Sequence, residues 1–280
     1  MADAAAKADP GPAQGDDASP EAMETARREI DAIDEKILAL LADRVRCNEA
    51  IAAAKIAAGV KMPLRPAREI KMLRALLAKA PSNVDPDLIF DVWRALIAAN
   101  VRRQRPVEVV VPAGTDIVRL FDTARRHFAG AARINRTMDA REALNRVAEN
   151  PSTVAVLPWL GPSGPNAWWA MLTERRYSTL SIIAALPMRG TGEPDAAILA
   201  NGGVLEAAGG DFTFGIAFDP HYRATRALNE AHFKGREAMR ARETVVIEFS
   251  EFVTPSDPRI AHAIREGLEG LRVIGSYARV

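Results

Sequence analysis

The chain has 280 residues, 48% of them hydrophobic, so it is long enough for one large or two ordinary domains with proper cores. Its 37 basic and 36 acidic side chains nearly cancel, which excludes an overall charge signature for nucleic acid or a membrane surface. These values favour a globular enzyme.

The first 19 residues are rich in Ala, Asp, Gly and Pro and lack the apolar core that a signal peptide needs. No later apolar run approaches membrane-spanning length. Because Cys47 is the single cysteine, no intrachain disulfide can form, which fits a reducing compartment. We therefore expect a disordered tail, 1–19, on a soluble cytoplasmic protein that binds neither nucleic acid nor membranes.

One long helix is predicted from Pro20 to Gly59, with Ser19 as its N-cap and Gly59 as its C-cap. Its apolar residues recur at helical spacing: Ile30, Ile33, Ile37, Leu40, Leu41, Val45 and Ile51. At 1.5 Å per residue the helix would be roughly 55–60 Å long. A helix of that length needs a partner along it.

Three cations on this helix are spaced informatively. Arg44 and Lys55 are eleven residues apart, about three whole turns, so they point to the same side. Arg27 falls about 100° off that side and more than about 20 Å along the axis. It would join the other two only if a second copy of the helix ran alongside.

Two further helices are predicted before residue 107, where the pattern changes to alternating strands and helices. Residues 67–79 carry apolar side chains at helical spacing, and a third helix opens at 83–86 and closes at Pro106. The runs ARREIDAIDEKILALLADRVRCNEAIAAAKIAAG, PAREIKML and LIFDVWRALIAANVRRQ, within Met23 to Arg105, resemble the all-helical, type II class of chorismate mutases. The resemblance implies a three-helix chorismate mutase fold over residues 20–106, intertwined as a homodimer through the long helix.

The resemblance also implies a substrate, chorismate, and a set of site residues. Arg44 would clamp one carboxylate, Arg27 would bind the other from the second protomer, and Arg68 would support the carboxylate network. Lys55 and Gln104 would flank the ether oxygen, and Glu69, expected to stay ionised beside several cations, would accept from the ring hydroxyl. Asn100, one turn before Gln104, lies where the family often has a small hydroxyl residue.

The rearrangement of chorismate to prephenate is unimolecular and needs no metal or cofactor; it requires the reactive conformer to be held and donors to be aimed at the ether oxygen. One position departs from the family pattern. Arg65 stands where some relatives carry an acidic residue, so a hydroxyl contact could be missing. Taken singly, each cation could be a solvated surface charge, and the active-site interpretation depends on all of them falling in register.

From residue 107 onward, strands alternate with helices, which predicts a mainly parallel α/β layer and a domain boundary near Pro106. We predict strands at 107–111, 132–136, 153–157 and 180–186 and helices at 116–128, 139–149 and around Trp168. In the last ninety residues we predict strands at 212–218, 244–249 and 271–275 and helices at 221–240 and 258–269. The fold class is thus multidomain, α plus α/β, with the second part divided into 107–190 and 191–280.

Short stretches of this second part resemble known modules. Residues 155–158 and 180–188 resemble the first lobe of a prephenate dehydratase, and 271–277 resemble the closing strand of a regulatory ACT module. The Thr-Arg-Phe motif of the dehydratases is missing, since the nearest string is Thr225-Arg226-Ala227. We therefore expect a regulatory or structural region rather than a dehydratase.

The leading hypothesis is a cofactor-free chorismate mutase of phenylalanine and tyrosine biosynthesis, with an aromatic amino acid as a candidate effector. The alternative from another class is a non-catalytic regulatory or adaptor dimer that binds an aromatic ligand or a partner enzyme. An isochorismate pyruvate lyase of the same helical fold and a bifunctional mutase-dehydratase are less favoured.

Overall fold

The computed structural model describes residues 19–59, 62–104, 106–114, 116–129 and 132–280. The chain divides into two units between Ile51 and Ala52. The predicted tail, 1–19, lies outside the described residues except for Ser19. No helix in the described ranges is long and apolar enough to cross a membrane.

The long helix α1 runs from Pro20 to Ala57, close to its predicted bounds. Both predicted caps are confirmed. The Ser19 hydroxyl oxygen accepts the Ala22 N–H at 3.2 Å, and Gly59 adopts a left-handed φ of +69° while its N–H donates to Ile56 O at 3.0 Å. Serine and glycine suit these ends because one accepts from a free N–H and the other tolerates a positive φ.

The part of α1 in the first unit presents its apolar residues to solvent. No residue of α1 is classed as buried. Four side chains spaced three or four residues apart share one face, and each is about half exposed or more: Ile30 56%, Ile33 52%, Ile37 48% and Leu40 66%. Spacing of this kind is typical of the contact face of paired helices.

Helices α2, Pro66–Leu77, and α3, Pro86–Gln104, belong to the second unit and share its main core. Ile70 and Ile97 are buried in the same cluster as Val109 and Val111 of the first strand. Arg74 of α2 also donates to the carbonyl oxygens of Ala208 and Gly209, at 3.1 and 2.7 Å. In the structure, therefore, residues on both sides of the predicted boundary near Pro106 pack into one core.

A nine-stranded sheet in the order β2-β1-β3-β5-β4-β9-β6-β8-β7 forms the centre of this unit. Its strands are β1 Glu108–Pro112, β2 Arg133–Thr137, β3 Thr153–Pro158, β4 Leu180–Leu186, β5 Ala196–Asn201, β6 Phe212–Phe218, β7 Gly235–Ala241, β8 Thr244–Phe249 and β9 Glu269–Tyr277. The helices are α4 Ile117–Phe128, α5 Ala140–Glu149, α6 Ala224–Glu230 and α7 Pro258–Arg265, with 3₁₀ helices at Gly164–Thr173 and Arg175–Tyr177. The fold class, helices followed by an α/β layer, is confirmed.

The expectation of a mainly parallel sheet is wrong. β1 pairs in parallel with β2 and β3, and β4 with β9. The other five pairings are antiparallel. The strand β5 was not predicted, and its insertion between β3 and β4 reverses the strand direction there. The helix predicted at 221–240 is also wrong, because only Ala224–Glu230 is helical and Gly235–Ala241 pairs with β8 as a hairpin strand.

The structure also differs from the predicted subdivision at residue 190, since strands from 107–190 and 191–280 form one sheet. Residues 212–277 form a β-α-β-β-α-β unit with strand order β9-β6-β8-β7, the ferredoxin-like arrangement. This unit joins the rest through β9 beside β4, where Ile182 faces Gly275. A Cβ at Gly275 would overlap the backbone of Ile182, so glycine permits this close strand contact.

Candidate active site

Two predicted catalytic residues lie in direct contact. Lys55, in the last turn of α1, donates from Nζ to Oε1 of Gln104, the last residue of α3, at 2.9 Å. Both side chains are half-buried. Because this bond uses the amide oxygen of Gln104 as acceptor, its NH₂ group remains a donor, as do the other two ammonium hydrogens of Lys55. The pair therefore offers donors of two kinds at one place.

The electrostatic surroundings of Lys55 include three more residues of the predicted region. Burial is the main cause that lowers the pKa of Lys55, and the positive charges of Arg65 and Arg68 lower it further, while Glu69 raises it. A cluster of cations with one carboxylate is the charge pattern expected for a site that binds a dianion. The structure thus brings together Lys55, Gln104, Arg68 and Glu69 of the predicted set.

Glu69 is buried, with 8% of its surface exposed, and it is held by a residue that the sequence analysis missed. Its Oε2 accepts from Nη1 of Arg94 at 2.5 Å, and Arg94 is itself 5% exposed. No hydrogen bond of the other carboxylate oxygen is found among the described residues. Glu69 therefore keeps one oxygen with which it can accept from a hydroxyl group, which is the role predicted for it.

Arg94 connects this carboxylate to the α/β layer. Its Nη2 donates to the carbonyl oxygen of His127 at 2.8 Å and lies 3.4 Å from the ring nitrogen Nε2. Burial, helped by the charge of Arg94, holds the pKa of His127 well below its usual value of 6.5, so the imidazole is neutral at pH 7. The Nε of Arg94 is the one buried side-chain nitrogen or oxygen among the described residues that has no hydrogen-bond partner.

The other predicted residues of the second unit have distinct positions. Arg68 is exposed, and Asn100 is half-buried one helical turn before Gln104. Arg65, the departure from the family pattern, forms a bidentate ion pair with Glu206, in which Nε lies 3.1 Å from Oε2. Its positive charge still acts on Lys55, but its Nε and Nη2 donate to a residue that is far away in the sequence.

Arg27 and Arg44 lie in the first unit. Arg27 is 70% exposed, with Glu24 Oε2 at 3.8 Å from its Nη1, a weak surface pair. Arg44 is half-buried, and burial lowers its pKa. It follows Leu40 by four residues, which is the spacing of the exposed apolar face of α1.

A separate cavity of about 400 Å³ lies at the carboxyl ends of β1 and β3. It is lined by residues that include Gly164 and Pro165, at the start of the 3₁₀ helix Gly164–Thr173, and by two acidic N-caps, Asp116 and Asp139. Asp139 accepts from the N–H of Glu142 at 2.8 Å. The Asp116 side chain makes no capping hydrogen bond. Because two carboxylates line the cavity, it is poorly suited to an anion.

The residues that sequence reasoning missed are Arg94, His127 and Glu206. Arg94 occurs in the quoted run LIFDVWRALIAANVRRQ, between apolar residues of the buried face of α3. A charged residue at a core-facing helical position was the signal that could have revealed it. His127 and Glu206 carry no such signal, because only the folding of the sheet brings them near.

Comparison with known families supports the identity of the helical segment. Residues 26–105 match the family model described as chorismate mutase type II. The match spans all seven predicted site residues and covers 80 of the 280 residues. A search of curated proteins found no significant match.

Solved structures with some likeness to the chain include three proteins. A protein described as GqqA, a novel type of quorum quenching acylase, has 16% identity and a TM-score of 0.42, covering 61% of this chain and 95% of its own. The prephenate dehydratase from Streptococcus mutans has 10% identity and a TM-score of 0.42, covering 62% and 100%. A prephenate dehydratase from Arthrobacter aurescens in complex with L-Phe has 14% identity and a TM-score of 0.39, and the match covers 61% of this chain and 90% of that protein. At these TM-scores the likenesses carry no functional conclusion.

Proposed function

We propose that the protein is a chorismate mutase that converts chorismate to prephenate without a cofactor. Chorismate carries two carboxylates, a ring hydroxyl and an enol ether oxygen on which negative charge grows as the C–O bond breaks. Such a reaction is accelerated by holding the compact conformer and by placing donors at that oxygen. The residues that match the family provide cations, an amide and a carboxylate, which correspond to these requirements.

The contact between Lys55 and Gln104 carries this proposal. Their side chains come from helices that are 49 positions apart in sequence, yet Nζ and Oε1 are 2.9 Å apart. An ammonium and an amide NH₂ held together would both donate to the ether oxygen in the transition state. Glu69, fixed by Arg94, would accept from the ring hydroxyl through its remaining oxygen.

The two carboxylates of the substrate would be bound by arginines. We propose Arg44 and Arg68 for one side of the site, with Asn100 as a further polar contact, and Arg27 from a second protomer for the other carboxylate. Arginine suits this role because its planar guanidinium forms paired hydrogen bonds with a carboxylate. The assignment of Arg27 requires a homodimer.

The homodimer would form through α1. Burying the exposed face at Ile30, Ile33, Ile37 and Leu40 would remove four large apolar side chains from water in each protomer. Each fully buried side chain of this kind contributes about 1.5–3 kcal/mol. A second copy of the same helix has the matching spacing.

The direct test follows the loss of chorismate absorbance with purified full-length protein, with acid treatment afterwards to convert prephenate to phenylpyruvate. We expect turnover to prephenate, with no phenylpyruvate before acid. Phenylpyruvate before acid would indicate a dehydratase activity as well. No turnover of chorismate by a folded dimer would refute the proposal, and release of pyruvate from isochorismate would then favour the lyase.

Arg44→Ala separates an enzyme from an adaptor. The variant should lower kcat/KM for chorismate by at least about a hundredfold, because a carboxylate clamp contributes several kcal/mol to transition-state binding. Its dimeric state should be unchanged. Lys36→Ala serves as the matched control, since it removes a cation from the same helix outside the matched site residues.

A further inference from the structure

A segment of the α/β layer, residues 204–211 between β5 and β6, packs against the start of α2. Leu205 of this segment and Pro66 of α2 line the same small space, whose volume of about 10 Å³ leaves room for at most about one water molecule. Ala208 of the segment and Leu64, just before α2, are buried in the same core cluster. The segment therefore lies in close contact with the residues that begin α2.

The backbone of this segment is held from both sides. The carboxylate of Asp211, which is buried, accepts from the N–H groups of Ala208 and Gly209 at 2.8 and 2.7 Å. The carbonyl oxygens of the same two residues accept from Nη1 of Arg74, on α2, at 3.1 and 2.7 Å. Because the donors and the acceptors of this turn are both engaged, Glu206, two residues before Ala208, extends from a fixed backbone.

The side chain of Glu206 forms a two-point ion pair with Arg65. Nε of Arg65 donates to Oε2 at 3.1 Å, and its Nη2 donates to Oε1. The two side chains are 29% and 35% exposed, so solvent screens this pair less than a pair on the open surface. Two parallel hydrogen bonds from a planar guanidinium fix its orientation as well as its position.

Arg65 is connected to the proposed active site through its backbone and through its charge. It is the N-cap residue of α2, and its carbonyl oxygen accepts from the N–H of Glu69 at 3.0 Å. The positive charges of Arg65 and Arg68 lower the pKa of Lys55, and Glu69 raises it. A change in the position or the net charge around Arg65 would therefore act on both Glu69 and Lys55.

We propose that Glu206 is a positioning residue of the mutase site, which holds Arg65 at the start of α2 and offsets its charge. This inference rests on the proposed function. Glu206 acts through Arg65 and does not contact the substrate. Without Glu206, the cations Lys55, Arg65 and Arg68 would repel one another more strongly. The α/β layer would in this way supply part of the charge balance of a site formed by the helices.

The sign of the effect follows from the charges. Glu206→Gln leaves Arg65 as an uncompensated cation, which disfavours the protonated form of Lys55, so the pKa of Lys55 should fall. Arg65→Gln removes a cation, so the same pKa should rise. When both substitutions are combined, the loss of Glu206 should add little, because the residue through which it acts is already absent.

An NMR titration of the lysine side-chain carbons in the full-length protein measures this effect without substrate. The Lys55 signal is assigned by its absence in Lys55→Arg. We expect Glu206→Gln to raise the acid dissociation constant of Lys55 at least about twofold, Arg65→Gln to lower it, and the double variant to match Arg65→Gln. Glu206→Asp keeps the charge and should titrate close to the wild type. Glu193→Gln, which removes an exposed carboxylate from the loop before β5, is the matched control and should have no effect.

Three results would overturn the inference: an unchanged Lys55 titration in Glu206→Gln, a change of the opposite sign, or an equal change in the Arg65→Gln background. A purely structural role would lower the free energy of unfolding in urea and leave the titration unmoved.

The profile of kcat/KM for chorismate against pH tests the link to catalysis. Its alkaline limb should move to lower pH in Glu206→Gln and to higher pH in Arg65→Gln. Unmoved limbs in an active enzyme would also overturn the inference. A protein that shows the expected titrations but does not turn over chorismate would refute the proposed function and leave the action of Glu206 on Lys55 standing.

Discussion

Lys55 has charged neighbours that shift its pKa in both directions. In the proposed function Lys55 donates to the ether oxygen and must therefore be protonated, and burial together with the charges of Arg65 and Arg68 lowers its pKa below the ordinary 10.5. Because the charged form is lost as the pH rises through that lowered value, activity should decline on the alkaline side earlier than an unperturbed lysine would allow.

Two substitutions should move this alkaline limb in opposite directions. Glu69→Gln removes the one neighbour that raises the pKa of Lys55, so the limb should shift to lower pH. Arg68→Gln removes a cation that lowers the pKa, so the limb should shift to higher pH. The profile of kcat/KM against pH measures both shifts. Lys55→Arg is the control: because arginine stays protonated, the alkaline decline of kcat/KM should be absent in this variant. Shifts in the same direction would contradict this assignment.

Removing one partner of the buried ion pair between Arg94 and Glu69 should lower the free energy of unfolding far more than replacing both partners. Arg94→Met would leave a carboxylate that is 8% exposed without its partner, which destabilises a protein by about 3–5 kcal/mol. Replacing both residues by Met should recover most of that loss, because two apolar side chains leave no buried charge unpaired. Urea unfolding measures both free energies; a single variant within about 1 kcal/mol of the wild type would mean that the carboxylate is solvated.

At the scale of elements, two adjacent residues of α1 can test which face of this helix forms the proposed dimer interface. Ile37, 48% exposed, belongs to the apolar face with Ile33 and Leu40, whereas Leu38, 67% exposed, points about 100° away from it. In a homodimer formed by this face, Ile37→Glu would place two carboxylates in the interface, one from each protomer.

We expect Ile37→Glu to raise the dimer dissociation constant at least about a hundredfold, since about 1.5–3 kcal/mol of burial is lost in each protomer. Leu38→Glu should leave the constant nearly unchanged although it introduces the same charge on the same helix. Sedimentation equilibrium of both variants makes the comparison. Equal effects of the two substitutions would place the interface elsewhere.

At the scale of the whole molecule, the main core crosses the predicted boundary near Pro106. Ile70 and Ile97, from before that boundary, are buried with Val109, Val111 and Ile183. A fragment of residues 107–280 would therefore expose the apolar surface that α2 and α3 cover, and we expect it to unfold at lower temperature or to aggregate.

A fragment of residues 62–280 is the matched control for this prediction. It keeps α2 and α3 and removes α1, which has no buried residue. It should unfold cooperatively near the temperature of the second unit in the full chain, as measured by calorimetry. Equal stability of the two fragments would support the boundary at 106 as the limit of an independent domain.

The sequence by itself determined the features that depend on local interactions. The caps at Ser19 and Gly59, the three N-terminal helices and the strands from β1 to β4 could be predicted, because capping, proline positions and hydrophobic periodicity act over a few residues. The set of site residues could be listed in register with a known family, and the contact of Lys55 with Gln104 agrees with that register.

Only the tertiary structure decided the rest. The strand at 196–201 and the hairpin strand at 235–241 form because neighbouring strands supply their hydrogen bonds, and the sheet is mixed because β5 enters between β3 and β4. The partners of the charged residues were equally out of reach: Arg94 holds Glu69, and Arg65 holds Glu206, across long stretches of chain. Burial and charge pairing of this kind arise only when distant segments pack together, so no local pattern encodes them.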